Sequence, residues 1–208
     1  MTMTSEDLTG ILGDVRKAYR LLHEYHRRLN DLLQQVEETL SKKGLHFESW
    51  APNNVAPLPK KQFFAPYKWA WDLTPAYQVE CAWSSDRGKG EVHRIGLVAV
   101  ADTGYDKAGD GEPDPAQFKN ATECSTELWI AAWTTTAKAP DWKKAWEKVQ
   151  RIPEYDDHKC HTVKIDADTY NYEYLRTVDV AALVNPDAVQ EHLLRPIERW
   201  LDDGHTRR

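Results

Sequence analysis

The sequence is short of the residues that staple a chain, anchor it or mark an active site. Cysteine occurs three times in 208 residues, at Cys81, Cys124 and Cys160. An odd number at unrelated spacings excludes a disulfide framework. Long apolar runs are also missing: 95–101 and 128–133 are the longest, far below the ~20 residues of a membrane-spanning helix. No membrane partner is expected. Residues 1–7 have neither a basic n-region nor an apolar h-region, so no signal peptide is expected. The expectation is a cytoplasmic protein.

A basic excess is absent too. The formal net charge is -6, and the first 43 residues are neutral, so the whole deficit lies in the rest of the chain. Nucleic-acid affinity comes largely from neutralising phosphates, so nucleic acid is not an expected partner.

Compact catalytic signatures do not occur. There is no G-x-S-x-G elbow and no G-x-x-x-x-G-K-[ST] loop, and Gly88-Lys89-Gly90 is too short for a dinucleotide fingerprint. His23 and His26 stand three apart, whereas the zinc-protease helix needs i and i+4. Asp156, Asp157, His158, Cys160 and His161 form the densest ligand cluster. A strand there would put Cys160 and His161 on opposite faces, and zinc wants a second pair of ligands that the neighbourhood lacks. No metal and no cofactor are expected.

Phenylalanine is scarce, four residues against nine Trp and nine Tyr. Trp and Tyr carry an apolar body and a polar tip, which suits half-wet positions. They define a candidate aromatic surface. Trp69 and Trp71 share a face of 67–72, and Trp129 and Trp133 share a face of 126–136. Tyr170, Tyr172 and Tyr174 alternate as a ladder. Such a ladder either packs under a helix or stacks bases and sugars.

The strongest positive signal lies in residues 5–43. Leu8, Leu12, Val15, Tyr19, Leu22, His26, Leu29, Leu33, Val36 and Leu40 follow an unbroken alternation of four and three. That is a heptad seam with Leu12, Tyr19 and His26 at a and Leu8, Val15 and Leu22 at d. Ile11, Ala18, Tyr25 and Leu32 widen the stripe at g. Ser5 is the expected cap and Gly44 the expected stop. Gly10 and Gly13 leave a start at Asp14 open. A helix over 6–43 would span about 57 Å, more than the roughly 40 Å breadth of the remaining chain, so part of the stripe would need another cover. A start at Asp14 removes most of that excess. His26 is the polar residue of the seam, a position that can set register or oligomer state.

Residues 44–66 hold four prolines and read as a belt or linker. Residues 67–208 read as an α+β domain. Alternating segments at 67–72, 77–84, 91–102, 126–136, 160–165 and 170–180 give a mostly antiparallel sheet of about six strands. Helices are expected at 140–151 and from Pro186 onward, capped by Asn185 and kinked at Pro196. Short links suggest that both lie on one side of the sheet.

The leading expectation is a non-catalytic interaction or accessory subunit. It would self-associate or dock on a protein partner through Leu12, Val15, Tyr19, Leu22, His26, Leu29, Leu33 and Val36, and present a Trp/Tyr-rich surface. An alternative is a hydrolase-like enzyme with a dispersed acidic and histidine site around the 102–114 loop, which carries Asp102, Asp106, Asp110, Glu112 and Asp114. A third is a binder of single-stranded nucleic acid or nucleotides using the aromatic ladders.

Overall fold

The computed structural model describes residues 4–53, 78–85, 90–104, 118–153, 156 and 158–203. The chain divides into two compact units, Met1–Thr39 and Leu40–Arg208.

Helix α1 runs over Ser5–Lys42. Its start is decided by a reciprocal pair. The Thr4 hydroxyl accepts from the Asp7 N–H at 3.1 Å, and the Asp7 carboxylate accepts from the Thr4 N–H at 3.0 Å and from its hydroxyl at 2.7 Å. This capping box satisfies donors that the first turn leaves open. Thr4 therefore replaces the expected Ser5 as the cap, and the helix begins well before Asp14. Gly10 and Gly13 each cost about 0.5–1 kcal/mol inside a helix, a penalty that the cap and the long propagating helix absorb.

The other end also follows local chemistry. The Lys43 N–H donates to the Leu40 carbonyl and the Gly44 N–H to that of Ser41. Gly44 then takes φ +78°, the left-handed conformation that a helix stop uses. Lys43 reaches Asp202 at 2.7 Å, which raises the lysine pKa chiefly through that hydrogen bond.

Strand β1 (Leu45–Asn53) follows at once. These residues form a strand, not the belt or linker that the prolines of 44–66 suggest. β1 lies at the edge of the sheet, where Pro52 is tolerated because an edge does not need every backbone N–H. The segment 67–72, with Trp69 and Trp71, lies outside the described residues.

The other strands are β2 (Gln78–Ser85), β3 (Val92–Val100), β4 (Glu127–Thr135), β5 (Cys160–Ile165) and β6 (Asp168–Asp179). They form one six-stranded sheet in the order β1-β2-β3-β4-β6-β5. Every neighbouring pair is antiparallel. The fold is thus α+β, with a long N-terminal helix, an antiparallel sheet and further helices. A register shift between Phe47 and Ser49 makes Glu48 a bulge residue, and a second shift, opposite Ile130 and Ala131, falls at Leu175. Asp166 turns β5 into β6 at φ 53°, a conformation that Asp tolerates better than most residues.

The two faces follow from period-two alternation. Arg94 pairs across with Trp133, and Trp133 with Tyr172, so these three share one face. Helix α2 (Trp142–Val149) covers it, with Ala145 and Val149 packed into a core of Trp133, Val163, Ile165, Tyr170 and Tyr172. Asp141 caps α2 by accepting from the Lys144 N–H at 3.0 Å. His93 and Glu173 lie on the opposite face. There Trp200 donates its indole N–H to Glu173 at 3.1 Å and stacks edge-on against His93 at 6.0 Å.

Trp200 belongs to the last helical stretch, α3 (Pro186–Val189), a π turn (Gln190–Leu194) and α4 (Arg195–Asp203). Asn185 caps it at 2.9 Å from the Ala188 N–H. The π turn directly precedes Pro196, which removes an N–H and crowds the carbonyl four residues back. The helices therefore cover both faces of the sheet, not one. The sheet demands this: Ile95, Leu97, Leu128 and Ile130 are buried on one side while Trp133, Tyr170 and Tyr172 are buried on the other.

Two glycines in and beside α1 are expected to respond oppositely to alanine. Gly44→Ala meets no steric neighbour but strains a left-handed residue, and should destabilise by about 1–2 kcal/mol. Gly10→Ala also has open space, in a helical conformation, and should stabilise α1 by about 0.5–1 kcal/mol. Urea unfolding followed by helical circular dichroism checks both signs.

The Thr4–Asp7 box should also fray in acid. The Thr4 hydroxyl and N–H hold the Asp7 carboxyl below its ordinary value near 3.8. A lowered folded-state value stabilises above the unfolded pKa and is lost as pH falls through the folded one. Protection of the first-turn amides, relative to their intrinsic exchange rates, should fall as the pH drops below about 4, and Asp7→Asn should remove that dependence.

Candidate interaction surface

Along α1 the predicted interaction residues separate into two groups. Leu12, Val15 and Tyr19 are exposed, Val15 at 44% and Tyr19 at 65%. Leu8 and Ile11 extend the same stripe and are exposed as well. Leu22, His26 and Leu33 are half-buried, and Leu29 and Val36 are buried, as is Leu32. The stripe is exposed through its first two heptads and half-buried or buried from Leu22 on. Its flanks carry local ion pairs, Asp14–Lys17 at 3.0 Å and Glu24–Arg27 at 2.6 Å. Exposed i,i+3 pairs of this kind contribute about 0.3–0.5 kcal/mol. The Tyr25 and His26 rings lie 5.2 Å apart. The Tyr25 hydroxyl is buried with no hydrogen-bond partner among the described residues, and burial pushes its pKa up.

The aromatic surface needs correction. Trp133, Tyr170 and Tyr172 are buried, at 3%, 1% and 1% exposure. They lie beneath α2: Trp133 stands 4.7 Å from Tyr172, 6.2 Å from Trp142 and 6.3 Å from Trp146. The Tyr170 hydroxyl accepts the Asp141 N–H at 2.9 Å, so its polar tip is used at the cap of the covering helix. The alternation in the sequence identifies the shared face correctly, but α2 supplies its own Trp pair to cover it. Trp129 and Tyr174 are half-buried. Trp129 donates to Glu127 at 2.8 Å, and the Tyr174 hydroxyl meets that of Thr177.

Sequence reasoning missed two features. Phe47 and Trp50 are exposed on β1, on one face because the Glu48 bulge shifts the alternation by one residue. Arg94, with its side chain 11% exposed, bonds Glu48 and Glu80 at 3.2 Å each and sits 5.4 Å over the Trp142 ring. One guanidinium therefore joins β1, β2, β3 and α2. The signal available was a single cation in an otherwise apolar strand.

The ligand clusters do not converge. Both hydrogen-bond partners of His158 Nδ1 are carbonyls, those of Tyr174 and Leu175 at 3.1 Å, so this nitrogen carries a proton and donates. That use fastens the β6 bulge and withdraws Nδ1 from any ligand. Among the described residues no group of three or more His, Cys, Asp or Glu side chains is placed to hold a metal ion. In the acidic loop, Asp102 accepts the Gly104 N–H at 2.7 Å. Asp106, Asp110, Glu112 and Asp114 lie outside the described residues, as does Asp157. Among the described residues no helix is long and apolar enough to cross a membrane.

Residues 5–201 match one family model. The chain belongs to the PM0109 family. Its matched range opens on the first residue of α1 and closes in α4, so the helix with the exposed stripe is part of what the PM0109 model covers. No curated protein and no solved structure matches the chain.

Truncating one aromatic from each group separates packing from presentation. Trp133→Ala should destabilise the fold by about 3–5 kcal/mol, because it empties the space between the sheet and α2. Tyr19→Ala should shift stability by no more than about 0.5 kcal/mol. Denaturant midpoints of the two variants check this contrast.

Proposed function

We propose that this protein is a non-catalytic interaction or accessory subunit that associates with a protein partner or with itself through α1. The observation that carries this reading is the exposed row Leu8, Ile11, Leu12, Val15 and Tyr19. Single exposed apolar residues are ordinary on any surface, but a contiguous row of them marks an association site. The row is one side of a heptad seam, the pattern by which helices recognise helices.

Two further features support a binding role. Burial drives the Cys81 thiol up to about 11 and also raises that of Cys124. A thiol is nucleophilic as the thiolate, so neither is prepared for covalent chemistry. The titratable side chains with placed partners serve structure: Asp7, Asp141 and Asp179 cap helical turns, and Arg94 ties strands. A cytoplasmic setting fits the three free cysteines, one of them exposed.

A photo-crosslinking residue at position 15, compared with one at position 17 on the opposite side of α1, tests the reading in the cells that make the protein. The stripe position should capture a defined polypeptide and position 17 should not. Leu12→Glu should abolish the capture. Absence of any adduct from position 15 overturns the reading.

A further inference from the structure

We draw no further inference here: the strongest candidate, the exposed aromatic patch that Phe47 and Trp50 form on the edge strand β1, carries nothing, because nothing in the structure shows what covers it.

Discussion

The central strands of the sheet are apolar on both faces, and the architecture of Leu40–Arg208 follows from that. Ile95, Leu97, Leu128 and Ile130 turn one way, and Trp133 and Tyr172 turn the other. Each such side chain gains about 1.5–3 kcal/mol only when fully covered. A sheet with one wet face would lose half of that. α2 has to lie on the side of Trp133, and the final helical stretch on the side of Glu173 and His93. Thr135 shows how strictly this interior is kept. Among the described residues it is the buried polar residue of the core, and its hydroxyl both donates to the Thr169 carbonyl at 2.7 Å and accepts from the Ala137 N–H at 3.2 Å. A buried hydroxyl is tolerated when its hydrogen bonds are made.

The helix α1 contrasts with that interior. Its second half carries buried leucines and its first half carries the same kind of residue in water. The heptad spacing does not change between the halves, although Gly10 and Gly13 weaken helix propensity in the first. What differs is exposure. A pattern maintained where its residues stay exposed is the physical ground for proposing a partner for this helix.

Much of this was legible beforehand, where a period survives long enough to be read. The heptads of α1, the alternation of β2 to β6 and the Asn185-Pro186 helix start all show in the sequence. The losses came where one residue disturbs a period. In β1 the bulge at Glu48 puts Phe47 and Trp50 three apart on one face, a spacing that a strand pattern does not recognise. At the start of α1, Ser5 and Thr4 are both competent caps. The acid three residues on decides between them, since Asp7 follows Thr4 at that spacing and Leu8 follows Ser5. For the tyrosine ladder the shared face was readable but its fate was not. Burial depends on α2, whose Trp142 and Trp146 meet the ladder only through the chain reversal between β4 and β5.

The π turn before Pro196 bears on how the last helix keeps its face. Val189, Leu193, Ile197 and Leu201 are buried and recur every fourth residue. An α-helix overshoots a full turn by about 40° in four residues, so three such steps in regular geometry would carry Leu201 to the flank. The wider turn slows the winding: the Arg195 N–H reaches back five residues to the Gln190 carbonyl, and Leu193 and Leu194 are both buried side by side. The irregularity acts as a phase correction. Removing one residue there would restore ideal winding, and the eleven remaining steps from Val189 to Leu201 would come within about 20° of three full turns, so Ile197 and Leu201 would still face the sheet. This stretch should therefore tolerate a one-residue gap at the π turn better than one within α4, where no wider turn is present to absorb the change of phase.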